Sequence, residues 1–424
     1  MSSMIMTENK EESDKVSAKS EDSEENENKN NNKINDLIHT MQPVLRVENF
    51  FGIFRFRITA EELLPTNKKM KLISILMTVG YIAIFSFLLK LPAAITGTGK
   101  LVDTVDEVPS IVILIQYVTS AITTCFLLTN NSINIFTAFA NIDSALHINT
   151  SEDFYKNARK RSVRYLGAFT VYHFFVTPSD LSTDEEITFS KLIVMPLYYE
   201  ENLEILVFCL MINMLKCRLT VINNYLAKFI DEKENTRAAV FVVGERKTNA
   251  DNCFNLIGRM STKNMKIRDL AATYDIIGET CSLINQVFNY QIFMTLVSTF
   301  TYIVITIWSS LYYFRSNEAI SGSMITIIIW CITAILKVAV MSLVCERLLL
   351  TRNDTKILVN KVIMDYDLPK TMRVQAKAFM DLIEAWPLRV FIYDMFSVDI
   401  TLMLKYISVA TTYLIVIIQV SHFA

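Results

Sequence analysis

The last apolar run of the chain, residues 399–421, carries polar side chains at a helical spacing. A helix turns by about 100° per residue, so five polar residues of this run fall within about 60° of one another, and an isoleucine completes the stripe. They are Thr401, Lys405, Ser408, Thr412 and Gln419, with Ile415. A buried amide without a partner costs on the order of a few kcal/mol in hydrocarbon. Gln419 is therefore expected to face protein or water.

These residues alone leave two interpretations of the polar stripe open. The stripe could pack against other helices through hydrogen bonds, or it could border water in a pore. One helix cannot enclose a pore, but identical subunits arranged around one axis can. In such a ring Gln419 lies near the outer end, and Ile415 and Val420 are placed to form an apolar gate that closes by dewetting.

The composition predicts that this stripe belongs to a membrane protein. Of the 424 residues, 52% are hydrophobic, and the mean hydropathy is positive. Seven apolar runs approach the length of about 20 residues that a helix needs to cross a bilayer. These predicted spans are Leu72–Leu91, Val108–Leu128, Ser162–Thr177, Asn202–Val221, Ile284–Tyr313, Met324–Cys345 and Asp399–Ser421. We predict an all-α, multi-pass protein of the plasma membrane with seven transmembrane helices.

The distribution of positive charge predicts the orientation of these spans. Alternate connecting segments hold thirty Lys and Arg residues in one set and four in the other. By the positive-inside rule the N-terminus is cytoplasmic and the C-terminus is outside, the reverse of a G-protein-coupled receptor. Residues 1–33 are mostly Ser, Glu, Asn and Lys, and we assign 1–41 to a disordered cytoplasmic tail.

Some predicted helices are longer than a bilayer is thick. The helical pattern that leads into the fifth span runs from Lys263 to Phe314, or roughly 78 Å. The excess is expected to project into the cytoplasm. We therefore expect residues 42–345 to form the first six spans with a ligand pocket and cytoplasmic extensions, 346–398 an anchor segment, and 399–424 the pore-lining seventh helix.

Signals for other functional classes are missing from the sequence. It contains no phosphate-binding GxxxxGK[ST], no HExxH, no CxxC and no GxSxG, and its four histidines lack metal-ligand spacing. We predict no enzyme activity, no cofactor and no metal site. The net charge of −2 gives no case for nucleic acid. Prolines lie outside or at the edges of the spans, so we expect unbroken helices rather than the broken helices of many transporters.

Polar and aromatic residues in the outer halves of the predicted spans are the candidates for a small-molecule pocket. Such sites combine aromatic walls with a few polar groups. Each Tyr or Trp could instead belong to the interfacial aromatic belt, and His173 could be a satisfied core histidine. The candidates are Gln116, Tyr117, Tyr172, His173, Tyr199, Glu200, Glu204, Thr306, Trp308, Ser309, Tyr312, Thr326 and Trp330.

Two lysines within spans need an explanation. Lys337 lies about eight residues, or roughly 12 Å, from the cytoplasmic end of its span, which stretches what snorkelling can relieve. An intramembrane charge is a candidate for function, but we prefer the interpretation that the span boundary lies one turn away and the lysine is ordinary. Lys405 lies near the cytoplasmic mouth of the proposed pore, where its charge would oppose cation flow unless it were paired. Asp399 of a neighbouring subunit is the partner that we consider.

The end of the chain resembles the insect gustatory receptor family. That family's signature is Thr-Tyr, five hydrophobic residues, Gln and Phe, and this chain has Thr412, Tyr413, "LIVII", Gln419 and then Val420 in place of Phe. The preceding stretch "AFMDLIEAWPLRVFIYDMFSVDITLMLKYISVA" is also similar to the family, with Asp394 where Gly is common. The specific resemblance covers about the last 45 residues.

This resemblance implies a tastant-gated, non-selective cation channel for taste detection in sensory neurons. It implies a homo- or hetero-tetramer with other gustatory receptor subunits, in contact with membrane lipids and permeant cations, whose ligand is a sugar or a bitter compound. Alternatives are an odorant-receptor-type channel, a seven-helix receptor that signals through cytoplasmic partners without its own pore, and a transporter.

Overall fold

The computed structural model describes residues 34–59, 63–95, 108–148, 152–181, 189–242, 267–315 and 321–423. Within these ranges the chain forms ten helices and two antiparallel β-hairpins of two-residue strands. The helices are α1 (34–50), α2 (Lys68–Ile95), α3 (Val108–Ile122), α4 (Thr129–Ala145), α5 (Glu152–Leu181), α6 (Phe189–Val242), α7 (Ile267–Arg315), α8 (Ser321–Met364), α9 (Lys370–Ala385) and α10 (Ile400–Phe423). The strands are β1 (Arg57–Ile58), β2 (Leu63–Leu64), β3 (Phe391–Ile392) and β4 (Phe396–Ser397).

Five of these helices are long and apolar enough to cross a membrane. They contain the candidate spans Lys68–Phe87, Val108–Leu127, Val194–Asp231, Ile267–Trp308 and Ile329–Met364. The prediction of an all-α, multi-pass membrane protein is confirmed. The third and seventh predicted spans fall in α5 and α10, which are not among the five, and several side chains of α10 lie outside the described ones.

Three helices exceed the thickness of a bilayer by a wide margin. Helix α6 has 54 residues, α7 has 49 and α8 has 44. At 1.5 Å per residue, α6 is about 80 Å long, more than twice the hydrocarbon thickness. The three helices pack on one another, and α9 packs against α7 and α8. The predicted helical extensions are therefore present.

Residues 34–41, which we had assigned to the disordered tail, instead begin α1. Leu37 and Met41 are buried in the main core with Val44. These apolar residues recur at helical spacing, so one face of α1 packs on the bundle. Residues 1–33 lie outside the described ones.

One of the predicted spans departs from the regular helix that we expected. Helix α3 ends in a π-helical turn, Thr123–Leu127, in which the amide of Leu128 donates to the carbonyl of Thr123. The carbonyl of Cys125 in this turn accepts hydrogen bonds from the hydroxyls of Thr66 at 2.9 Å and Thr129 at 3.1 Å. Helix α6 contains Pro196, N-terminal to the predicted fourth span, and is nevertheless continuous from Phe189 to Val242, although a proline in a helix interior removes one backbone hydrogen bond.

A close contact between α7 and the segment after α9 holds the core of the predicted anchor together. Trp386 lies so near to Gly278 that a Cβ on this glycine would meet the indole at 2.4 Å. The indole N–H donates to Asp275 at 2.7 Å, and the hydroxyl of Tyr274 donates to the Trp386 carbonyl at 3.0 Å. Only glycine at position 278 permits this approach.

The β3–β4 hairpin lies between α9 and α10. Tyr393 and Asp394 in its turn have φ of 47° and 58°, and the amide of Met395 donates to the carbonyl of Ile392 at 2.9 Å. Two consecutive positive φ values with this hydrogen bond define a type I′ turn, which favours Gly, Asn and Asp. The conformation explains why a glycine suits position 394. The amide of Tyr393 also donates to Asn289 of α7 at 3.0 Å.

Candidate functional site

The base of α10 is fixed by an N-cap. One carboxylate oxygen of Asp399 accepts hydrogen bonds from the amides of Thr401 at 2.9 Å and Leu402 at 3.2 Å, and the other accepts from Ser397 at 2.7 Å. An aspartate in this position satisfies amides that the first turn of a helix leaves without partners. The proposed pairing of Asp399 with Lys405 of a neighbour is therefore replaced by a capping role within the chain.

One face of α10 packs on α7. Leu402 is buried, and the hydroxyl of Tyr406 donates to the carbonyl of Leu296 at 3.4 Å. About two turns further along the helix, the ring of Tyr413 packs edge-on against Phe300, with 5.2 Å between the centroids. The spacings of four and seven residues place these three side chains on one face.

The polar stripe lies on a different face of α10. Ser408, Thr412, Ile415 and Gln419 are all exposed in the isolated subunit, as are Thr401 and Lys405. On the helical wheel the centre of this stripe is about 130° from the face that packs on α7. Neighbours in sequence therefore separate: Thr412 points away from the subunit, whereas Tyr413 contacts it. The side chain of Val420 lies outside the described ones.

A layer of buried charge lies inside the bundle. Glu200, Glu201 and Glu204 occupy adjoining turns of α6, and each is about 1% exposed. Glu48 of α1 is also buried and binds Arg55 through both carboxylate oxygens, with contacts of 2.7 to 3.2 Å. Burial of unpaired carboxylates in hydrocarbon is costly, so such a layer needs cations and hydrogen-bond donors.

Two cations and two hydroxyl groups meet this layer. Lys337 of α8 donates to Glu201 at 2.7 Å, and Ser298 of α7 donates to the same oxygen at 2.8 Å. Arg55 approaches Glu204 at 4.0 Å, and Ser120 donates a short hydrogen bond to it. Lys337, which we interpreted as an ordinary lysine near a span boundary, instead forms an ion pair inside the bundle.

A small cavity opens beside the Lys337–Glu201 pair. Its volume is about 20 Å³, room for one water molecule. Three aromatic rings from α6, α7 and α8 converge on it, with centroids 5.3 to 6.3 Å apart. Among the described residues, the indole N–H of Trp330 and the hydroxyl of Thr299 are buried there without partners. The lining residues are Ile113, Tyr198, Glu201, Asn202, Ser298, Thr299, Tyr302, Trp330, Thr333, Ala334 and Lys337.

The comparison with known families decides what this bundle is. A family model described as "7tm Chemosensory receptor" matches residues 41–421, nearly the whole chain. This chain belongs to that family. The receptor is thus a chemosensory receptor of the ligand-gated cation channel class, and it is not an enzyme. No curated protein matches its sequence.

Solved structures similar to the receptor include the insect olfactory receptor OR5 from Machilis hrabei. The TM-score is 0.60 at 11% sequence identity, over 91% of this chain and 100% of that chain. The structure of OR5 in complex with eugenol gives a TM-score of 0.57, with the same identity and coverage. At this identity the likeness concerns the fold, which the receptor shares with a receptor of smell.

The structure brings some of the predicted ligand-contacting residues of the receptor to the cavity. Trp330 lines it directly, and Tyr172 reaches it by donating its hydroxyl hydrogen to Thr333. His173 belongs to an adjacent aromatic cluster with Phe169 and Tyr199, at centroid distances of 4.6 and 5.2 Å.

Other predicted residues lie elsewhere. Gln116 donates to Thr295 at 3.1 Å, and the hydroxyl of Tyr117 donates to the carbonyl of Phe51 at 2.8 Å, so both tie elements of the bundle together. Glu200 and Glu204 belong to the charged layer. Thr306 and Trp308 lie on α7, where neither lines the cavity. The side chains of Ser309, Tyr312 and Thr326 lie outside the described ones.

Several cavity residues were missed by sequence reasoning. Tyr198, Ser298, Tyr302 and Thr333 form no motif, and each is an ordinary residue of an apolar helix. One signal was present for Lys337. An ionisable residue inside a predicted span implies a partner, which applied to Lys337, but Glu201 lies one residue before the predicted fourth span, so the predicted spans did not bring the two charges to the same depth.

Proposed function

We propose that this chemosensory receptor is a gustatory receptor that acts as a tastant-gated, non-selective cation channel in the plasma membrane of sensory neurons. The observation that carries the proposal is the division of α10 into two faces. Tyr413, although 49% exposed, packs on Phe300 of its own subunit, and Thr412 and Gln419 are exposed on a polar face. Tetrameric assembly is typical of the family, and four such faces around one axis would line a water-filled pore.

The gustatory assignment within the superfamily rests on the Thr412, Tyr413 and Gln419 ending. In this proposal Ser408 and Thr412 line the path, and Ile415, Gln419 and Val420 form its outer constriction. Residues 346–398 serve as the cytoplasmic anchor, and 399–424 as the pore helix. The Thr412 hydroxyl donates to the carbonyl of Ser408 at 2.9 Å, so its lone pairs stay available to water.

The proposed tastant site is the cavity beside Trp330. The cavity holds an indole donor and a hydroxyl without partners, so a ligand with hydroxyl or carbonyl groups suits it better than a hydrocarbon. Its present volume fits only water, so a tastant must bind a state in which α6, α7 and α8 separate. A ligand that binds this state more tightly shifts the population toward it.

Cysteine accessibility at two adjacent positions tests the pore. Ser408→Cys lies on the polar face, and Val409→Cys, also exposed, lies about 100° away at the same depth. A charged, membrane-impermeant thiol reagent is applied during tastant-evoked current. We expect irreversible change of the current in Ser408→Cys, and a response of Val409→Cys equal to wild type. Equal reactivity at both positions would show that this face does not line the path.

A second experiment tests whether the receptor conducts at all. Whole-cell current is recorded from cells that lack other insect receptors while a tastant panel is applied under G-protein block. A fast current supports the channel, and ligand-evoked signals without current support a receptor that acts through cytoplasmic partners. For the tastant site, Trp330→Ala should raise the half-maximal concentration, whereas Phe87→Ala, which removes a lipid-exposed ring, should not.

A further inference from the structure

Helix α5 has a basic face that no other part of the described chain covers. Lys156, Lys160 and Arg164 follow one another at intervals of four residues, so they form a row about 12 Å long within about 80° on the helical wheel. All three side chains are exposed. On the opposite face, Ser162 and His173 are buried. Helix α5 packs on α6 and α8 through that buried side.

The basic row continues directly into an apolar row on the same face. Val163, Val171 and Phe174 lie within about 100° of the three cations on the wheel, and they are 48%, 55% and 73% exposed. Gly167 lies between them, and no atom approaches the position of a Cβ there within 4 Å. The face thus offers cations at one end and an uncovered apolar strip at the other.

Neighbouring acidic groups do not neutralise this row. Asp153 lies on the same face one turn before Lys156, yet among the described side chains no carboxylate forms an ion pair with Lys156, Lys160 or Arg164. By contrast, Lys337 and Lys356 each pair with a glutamate. A row of cations next to a transmembrane segment attracts anionic lipid headgroups.

We propose that this face binds a polyphosphorylated inositol phospholipid of the cytoplasmic leaflet. The headgroup phosphates contact Lys156, Lys160 and Arg164, and an acyl chain lies along Val163, Gly167 and Phe174. Three cations spaced over about 12 Å match several phosphates on one ring better than the single phosphate of a simple anionic lipid. The orientation that the Lys and Arg distribution predicts places this end of α5 at the cytoplasmic surface. The proposal is independent of the tastant and of the pore.

Binding to the full-length receptor in nanodiscs tests the proposal. The probe is a fluorescent dioctanoyl phosphatidylinositol 4,5-bisphosphate in discs of neutral phosphatidylcholine. Each basic side chain near such a headgroup contributes about fivefold in affinity, so Lys160→Gln with Arg164→Gln should weaken binding by about twenty-five-fold. The matched control removes two exposed lysines from α9, Lys370→Gln with Lys377→Gln, and should bind as wild type does.

Three outcomes would overturn the proposal. Equal weakening in both double variants would show general charge attraction, and equal affinity for dioctanoyl phosphatidylserine at matched charge would show no preference for the inositol headgroup. Equal affinity for soluble inositol trisphosphate would show that the apolar strip contributes nothing. Both double variants change exposed residues. Melting temperatures equal to that of the wild-type receptor would establish that both variants fold correctly.

Discussion

The two ion pairs between helices of the buried bundle, Arg218–Asp143 and Lys337–Glu201, differ in what surrounds them. Arg218 and Asp143 are at most 2% exposed, and the guanidinium lies over the ring of Phe139 at 4.6 Å. Tyr155 also donates to Asp143 at 2.7 Å, and burial, reinforced by this carboxylate, raises the pKa of the Tyr155 hydroxyl. It therefore stays protonated as a donor.

The Lys337–Glu201 pair has a looser environment. Lys337 is 13% exposed, and the pair borders a cavity with unpartnered donors. Arg218 also lines a cavity of about 20 Å³, so the two regions differ in exposure and in aromatic packing rather than in the presence of a cavity. The Arg218–Asp143 pair suits a structural role, because it is almost fully buried and is reinforced by Phe139 and Tyr155. The more exposed Lys337–Glu201 pair can exchange partners with water or a ligand.

The largest effect that distinguishes the two pairs is expected from Asp143→Ala. Removing one partner of a fully buried pair leaves an uncompensated charge and costs about 3–5 kcal/mol. We expect little folded receptor, measured as monodisperse protein on size-exclusion chromatography and as melting temperature in detergent. The control is Asp153→Ala, which removes an exposed carboxylate from α5. Replacing both partners, Asp143→Leu with Arg218→Met, should recover much of the loss, and no recovery would contradict this account.

Gly278→Ala should have the next largest effect. The added methyl group would meet Trp386 at 2.4 Å, and such overpacking costs about 1–3 kcal/mol. We expect a lower melting temperature and loss of evoked current, because the contact connects α7 to the segment that carries α10. Gly167→Ala, at a position with no neighbouring atom, is the matched control. A variant with wild-type melting would show that the indole can move aside.

Lys337→Gln should destabilise the receptor less than Asp143→Ala does. Glu201 keeps the hydrogen bond from Ser298, and water can enter the cavity, so a cost of about 1–2 kcal/mol is expected. The larger change should appear in tastant response, as a shift in half-maximal concentration at unchanged surface expression. Lys405→Gln, an exposed lysine of α10, should leave that concentration unchanged. A shift in stability as large as that of Asp143→Ala would remove the distinction between the two pairs.

The smallest effects are expected in the hairpin turn at Asp394. With φ of 58°, Asp394→Gly should change stability by less than about 0.5 kcal/mol, whereas Asp394→Val should cost about 1–2 kcal/mol. Melting of the two variants side by side measures the difference. Equal melting temperatures would indicate that the turn does not constrain the start of α10.

Some features of the site could be predicted from the sequence because they depend on the periodic spacing of residues within one helix. The polar stripe of α10 needs only the helical period, and Ser408, Thr412 and Gln419 are indeed exposed together. The length of α7 follows from its apolar pattern. The start of α1 was missed because its apolar positions, Leu37 and Met41, adjoin a tail that is strongly polar. The capping role of Asp399 was also missed, although an aspartate directly before an apolar run is an N-cap signal.

By itself the sequence determined an all-helical membrane protein, the spans of its long helices, and the polar face near its C-terminus, because hydrophobic periodicity depends on neighbours along the chain. Only the tertiary structure decided that Lys337 pairs with Glu201, 136 residues away, and that Trp386 closes on Gly278. It also decided that Tyr413 faces α7 while Thr412 faces away. Each of these contacts depends on which helices pack against each other, and a local sequence pattern does not specify the helix against which it packs.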